Sequence, residues 1–435
     1  MTAKILIRGG CVLTMGKTNF AEADVLIDGE TIVEIGPGLR SRDAEVIDAT
    51  DTIVMPGFID THRHLWHSLF KNVGDASSVM TYGPHYGPDD LYAATLIGLL
   101  GAIDNGITTV VDWLDVGTDD SHLEAAIQAH SDSEIRSVLA YAHPTWDPAQ
   151  DRWRRGLEGL KGQDPGPRLT FAAGAWSPHP DHIDKVAADW ASARHLGLRL
   201  HAHIGTDVDG PHGWLGDMAT RGLLGGDVTL VGGTYLGDAD FDAISSSGTS
   251  VALTPASGMS DGDGRPSVQR LIDRGIRPGL GVGSEQTAPG DMFAQIRALI
   301  SVQHATYFDL KLAGKGSLPS LLNTREVLRY ATVDGSRVAG LGDTVGALAP
   351  GRQADVILLR TDRPNIWPIN DPIGAVVWGM DTSNVDWVFV AGVALKQQGQ
   401  LRGDFGRASN LAVAAQERVL DAAGYYATAA TGGGV

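Results

Sequence analysis

From residue 53 to residue 346, short apolar runs alternate with helix-like stretches eight times over, and no other property of this 435-residue chain restricts its fold so tightly. Candidate strands end at Asp60, Trp113, His143, Trp176, Ile204, Tyr235, Pro255 and Ser284. Helical patterns such as 89–104, 181–195 and 291–304 lie between them. Eight strand-then-helix units predict an α/β fold of the (β/α)8 TIM barrel type. An open doubly wound sheet ranks below it, because no glycine-rich dinucleotide fingerprint follows an early strand.

The two ends of the chain read differently. Short strands are expected at 5–7, 11–14, 24–27, 31–35 and 45–48, separated by Gly9-Gly10, Asp28-Gly29 and Gly36-Pro37-Gly38. The same pattern returns at 355–359, 385–390 and 394–396. A small β-sandwich domain formed from both chain ends, 1–55 with 347–402, is therefore predicted around a barrel at 56–346. Residues 403–435 read as a helix at 408–422 and a glycine-rich tail expected to fray.

Composition narrows the function classes. A formal net charge of −18 argues against a nucleic-acid partner, which would need a basic surface to meet phosphates. No apolar run approaches the ~18 residues of a membrane helix. The N-terminus leads straight into a strand, and the single cysteine, Cys11, leaves no internal disulfide and no cysteine-rich metal site. A cytoplasmic protein acting on a small molecule, with no membrane partner, is expected.

In a barrel, chemistry collects at the C-terminal ends of the strands. The first strand runs Pro56-Gly57-Phe58-Ile59-Asp60-Thr61-His62-Arg63-His64. Residues two apart on a strand share a face, so His62 and His64 can point together into the mouth and begin a metal site. With this placement the stretch resembles the amidohydrolase superfamily, in its branch of cytosine deaminases and triazine chlorohydrolases. Gly106-Ile107-Thr108-Thr109-Val110-Val111-Asp112, Gly290-Asp291-Met292-Phe293 and the segment from Gly346 to Val356 are similar to that family as well.

The resemblance implies further positions, and the chain fills them unevenly. His203 stands where the family's strand-five metal ligand falls, but Thr206 stands where a carboxylate follows it. Gly232 takes the place of the strand-six histidine, and Gly283 that of the strand-eight aspartate. The stretch 254–259 lacks the acidic residue often found after strand seven, and strand four, ending Gly174-Ala175-Trp176, offers no lysine for a two-metal centre. Losing a positioned acid or base costs ~10²–10⁴-fold in rate. His62, His64 and His203 remain for one divalent ion, zinc or iron. Glu285, two residues beyond Gly283, is expected to face the same side and to stand in for the missing carboxylate.

The degenerate metal site favours an enzyme of non-hydrolytic acid/base chemistry (elimination, cyclisation or isomerisation). It would use His62, His64, His203 and Glu285, with or without a metal. Trp66, His67, His143, Trp176, His179, His201 and Tyr235 are the candidate pocket lining, each with a plainer reading as a packed or rim residue. Asp112 reads as structural, and Asp261 and Asp263 as an exposed turn. Two alternatives stand beside this reading. One is a hydrolase or deaminase of a small nitrogen-containing ring with a weakened three-histidine site; the other is a non-catalytic ligand-binding relative. The family's habit of pairing barrels implies a homodimer or larger assembly.

Overall fold

The computed structural model describes residues 4–73, 78–117, 119–144, 150–175, 177–205 and 213–424. Trp176, Thr206 and the glycine-rich tail lie outside them.

The first strands are β1 (Lys4–Val12), β2 (Phe20–Asp28), β3 (Thr31–Gly36), β4 (Ala44–Asp48) and β5 (Thr52–Pro56). The barrel strands are β6 (Phe58–Arg63), β7 (Ile107–Leu114), β8 (Arg136–Tyr141), β9 (Leu169–Gly174), β10 (Arg199–Ile204), β11 (Val228–Gly232), β12 (Ser250–Leu253) and β13 (Gly279–Leu280). The chain then returns through β14 (Val356–Arg360), β15 (Val385–Val390), β16 (Val393–Gln397) and β17 (Gln400–Leu401).

Strands β6 to β13 pair in sequence order, all parallel, as strand–helix repetition demands. Several end a few residues from the positions expected: β8 stops at Tyr141 and β11 at Gly232. The last barrel strand is only two residues long. Beyond it the closure is carried by single contacts with β6. Gly283 N donates to His62 O at 2.9 Å, and His64 N to Gly283 O at 2.9 Å. The Val282 amide donates to the Asp60 carboxylate at 3.0 Å. Inside the barrel, Ile59, Val111, Val138, Ala140, Ala172 and Val345 pack as one apolar cluster with Trp113.

Both chain ends join one nine-stranded mixed sheet, in the order β17-β16-β15-β14-β5-β1-β2-β3, with β4 on β1. It carries its own core of Ile7, Val25, Ile27, Val54, Val356, Leu358 and Phe389. Gly9-Gly10, expected to be a turn, lies inside β1. The register slips there against β2, and the Gly9 amide donates to the Asp24 carboxylate at 2.9 Å, so the glycines make a bulge rather than a hairpin. The last helix runs Phe405–Ala422, three residues longer at its start than its apolar spacing predicts, because the Asp404 carboxylate caps it by accepting the Arg407 amide. No helix among the described residues is long and apolar enough to cross a membrane.

One buried ion pair joins sheet to barrel. Arg136 on β8 meets Asp355, just before β14, through Nε–Oδ2 at 2.8 Å and Nη2–Oδ1 at 3.0 Å. Asp355 also accepts the Ala391 amide at 2.8 Å. Both side chains are nearly sealed from solvent, so removing one strands the other's charge. Asp355→Ala is expected to lower unfolding free energy by about 3–5 kcal/mol in urea titration, while Arg136→Met with Asp355→Leu falls by less.

Candidate functional site

Three histidines meet at the C-terminal end of the barrel. His62 and His64 come from the end of β6 and the residue after it, and His203 from β10. One ligand nitrogen from each lies within 4.8 Å of the others. His62 Nε2 and His64 Nε2 are 3.2 Å apart. Two imidazole nitrogens on a tetrahedral ion, each at ~2.0–2.1 Å, would sit ~3.3 Å from one another, so the His62–His64 pair has the spacing of two ligands of such an ion, with His203 within reach as the third.

The surroundings fix these rings. Trp113 stands edge-on to His203 at 4.8 Å between centroids and tilted to His62 at 5.6 Å. His64 Nδ1 donates to Asp115 Oδ1 at 3.0 Å, and the same oxygen accepts Trp66 Nε1 at 2.6 Å. His67 stacks flat on His64 at 4.7 Å and bonds Ser284 Oγ through Nδ1 at 2.9 Å. One turn below, Asp112 accepts the Leu65 amide and meets His130 Nε2 at 3.0 Å, with His130 Nδ1 on Ser137 Oγ. That chain is sealed in the wall and anchors the segment after His64.

Electrostatics divides the histidines. Burial drives His62 well below its ordinary pKa, and takes His203 down to about 4 with help from the His64 charge. His67 is likewise depressed by burial. Burial pulls His64 down too, but the Asp115 carboxylate outweighs it and the net shift is upward. At neutral pH His62 and His203 are neutral, with lone pairs free for a ligand.

The other sequence candidates are placed differently. Glu285 does not turn to the histidines. Its carboxylate is taken by Arg63 Nη2 at 3.1 Å, Lys71 Nζ at 3.0 Å and Ser68 Oγ at 2.5 Å. The reason is the alternation of β6: Arg63, between the two histidines, is fully buried and also paired with Asp60, so Glu285 supplies its second counter-charge. Trp66 is 1% exposed, a buried hydrogen-bond donor rather than an open wall. His201 lies two residues before His203 on β10, fully buried with no partner on either nitrogen among the described residues, and burial takes it down to about 3. His143 bonds the Pro144 carbonyl, half-buried His179 accepts the Asp181 amide, and the Tyr235 hydroxyl donates to the Gly262 carbonyl. None of these four joins the cluster of three. Trp176 falls outside the described residues.

Gly283 is not an empty place. A Cβ built there would lie 2.1 Å from Ser257 Oγ and 3.1 Å from Thr254 Cβ, and its φ of +74° disfavours any side chain. Ser257, on the short helix Pro255–Ser260, has filled the space a strand-eight side chain would need. The turn after that helix carries Asp261, whose charge reaches His64, and Asp263, which partial burial and then Asp261 push up to about 6.

Sequence reasoning missed Asp115, Ser257 and Ser284. Asp115 had a signal, an acid just past the end of the second barrel strand on the catalytic face. The two serines had none, since only packing brings them in.

Comparison with known proteins now bears on this geometry. The model of the amidohydrolase family matches residues 53–395. The chain belongs to that family. Among curated relatives, a 5-methylthioadenosine/S-adenosylhomocysteine deaminase of Desulfitobacterium hafniense is 27% identical, over 92% of this chain and 94% of the relative. A 5'-deoxyadenosine deaminase of Methanothermobacter thermautotrophicus is 26% identical, over 91% and 94%. Of solved structures, the atrazine chlorohydrolase of Arthrobacter aurescens in complex with zinc superposes with a TM-score of 0.82 at 24% identity, covering 95% of this chain and all of that one. An adenosine deaminase of Xanthomonas campestris with bound zinc gives 0.80 at 18%, covering 95% and 98%.

These amidohydrolases correct the expectation of elimination, cyclisation or isomerisation. That reading rested on glycine at 232 and 283, yet the curated relatives are named deaminases, which points to hydrolysis.

Restoring the strand-eight acid should fail for steric reasons. Gly283→Asp is expected to lose about 1–3 kcal/mol from the positive φ, with a comparable loss from overpacking against Ser257. Adding Ser257→Gly should recover the second part only, as read by urea unfolding of the single and double variants.

Proposed function

We propose that this amidohydrolase is a metal-dependent deaminase, replacing an amino group on a nitrogen-containing ring by water's oxygen. The single observation that carries the reading is the convergence of His62, His64 and His203 at the barrel mouth. These three would hold one divalent ion, zinc or iron, with a ligand position left for water. Such an ion, when bound, lowers the pKa of its water and polarises the carbon under attack.

The chain's own residues supply the rest. Trp113 and Asp115 keep the rings of His203 and His64 from turning. With Gly232 and Gly283 in place of the family's histidine and aspartate, proton handling falls to groups from the surrounding turns. Asp261 and Asp263 are the carboxylates to examine first, Asp263 being poised near neutrality. The relatives' names support aminated purine nucleosides as the first substrates to try.

Purified protein grown with zinc or iron is expected to carry about one ion per chain, lost in His62→Ala and His203→Ala. It should release ammonia from at least one of adenosine, 5'-deoxyadenosine, methylthioadenosine or an aminotriazine, with labelled solvent oxygen entering the product. A chelator should abolish the release. Protein that takes up no ion, or a product free of solvent oxygen, would overturn the proposal.

A further inference from the structure

We infer that Asp115 is the positioning residue of this site, setting the tautomer of His64 and supplying the counter-charge of a metal-loaded centre through that ring. The inference rests on the metal reading above and names the residue that makes it work without a carboxylate ligand.

The geometry is specific. Asp115 follows directly on β7 and is buried, 7% exposed. A carboxylate only accepts, so its contact with His64 Nδ1 at 3.0 Å places a proton on Nδ1 and turns Nε2 toward His62 and His203, where in the neutral ring its lone pair is the one a metal would take. The acceptor is itself held. Trp66 Nε1 donates to the same oxygen at 2.6 Å, and Trp66 is locked by Tyr86, edge-on at 5.3 Å, whose hydroxyl donates to the Trp66 carbonyl. His67, stacked on His64 and tied to Ser284, closes the other face of the ring. The ring can neither flip nor tilt without breaking one of these contacts.

Charge gives the second argument. Three neutral imidazoles leave a divalent ion with its full charge. Among the described residues, Asp115 is the one carboxylate hydrogen-bonded to a ring nitrogen of any of the three; Asp60 accepts only the His62 backbone amide, and Asp60 and Glu285 are paired with Arg63. A carboxylate bonded to the far nitrogen of a ligating imidazole raises its basicity and fixes its orientation, and losing such a partner typically costs ~10–100-fold in metal affinity.

The test is zinc titration of the full chain, stripped by chelator, against a chromophoric competitor. Alongside it, the imidazole nitrogens of the metal-free protein are read by NMR. Asp115→Ala is expected to bind zinc ~10–100-fold more weakly, and its His64 to lose the pure Nδ1–H tautomer. Asp115→Asn, which keeps an acceptor for both donors and guards against a folding defect, should keep the tautomer and lose part of the affinity. Trp66→Phe, which spares the Asp115–His64 bond, should bind zinc more tightly than Asp115→Ala. Zinc affinity in Asp115→Ala and Asp115→Asn equal to wild type would overturn the inference and leave the metal reading standing. Wild-type protein that binds no zinc would overturn both.

Discussion

The close approach of the eighth barrel strand to the first is the constraint on which the site depends. β13 is too short to close the barrel by a regular ladder, so closure falls to backbone contacts with the stretch from Asp60 to His64. There is no room for side chains in that seam: a Cβ on Gly281 would lie 2.6 Å from the His62 carbonyl oxygen. Below it Arg63, fully buried, is neutralised by Asp60 on its own strand and by Glu285 from beyond the seam. Breaking either partner would leave a charge in the barrel wall, a cost of several kcal/mol on the order of ~3–5. His62 and His64 are therefore held by the element that shuts the barrel, and their spacing is a consequence of closure.

The same seam explains why position 283 carries no side chain. Glycine at 283 allows the helix after β12 to move its Ser257 hydroxyl against the strand, and the positive φ there keeps the position glycine. At the end of the eighth strand, the Ser257 hydroxyl takes up the space a side chain would need. Glu285 cannot act as a substitute, because the alternation that sends His62 and His64 into the mouth sends Arg63 away from it, and Glu285 follows Arg63. The acid groups whose charge reaches His64 are instead Asp115, just past β7, Asp112 on β7 and Asp261 in the turn after Ser260. A centre whose nearest carboxylate lies one imidazole away would feel its counter-charge more weakly than one with a carboxylate ligand.

The alternating runs sufficed to determine a barrel, because strand and helix periods are local properties of a few residues each. The pair His62 and His64 was legible for the same reason, two side chains on one strand face next to a strand end. His203 needed the family likeness, since nothing local marks one histidine of His201-Ala202-His203 as the ligand; only tertiary structure buries His201 deeper in the barrel and brings His203 to the mouth. The Gly9-Gly10 bulge was misread as a turn, because both place glycine between strand runs and only pairing with β2 distinguishes them. The pairing of Glu285 with Arg63, the filling of Gly283's space by Ser257 and the hold of Asp115 on His64 link residues 222, 26 and 51 positions apart. Such contacts arise from packing between elements, which no local pattern encodes. The sequence by itself determined the scaffold and which strands carry the imidazoles; the folded chain alone decided which charges face them.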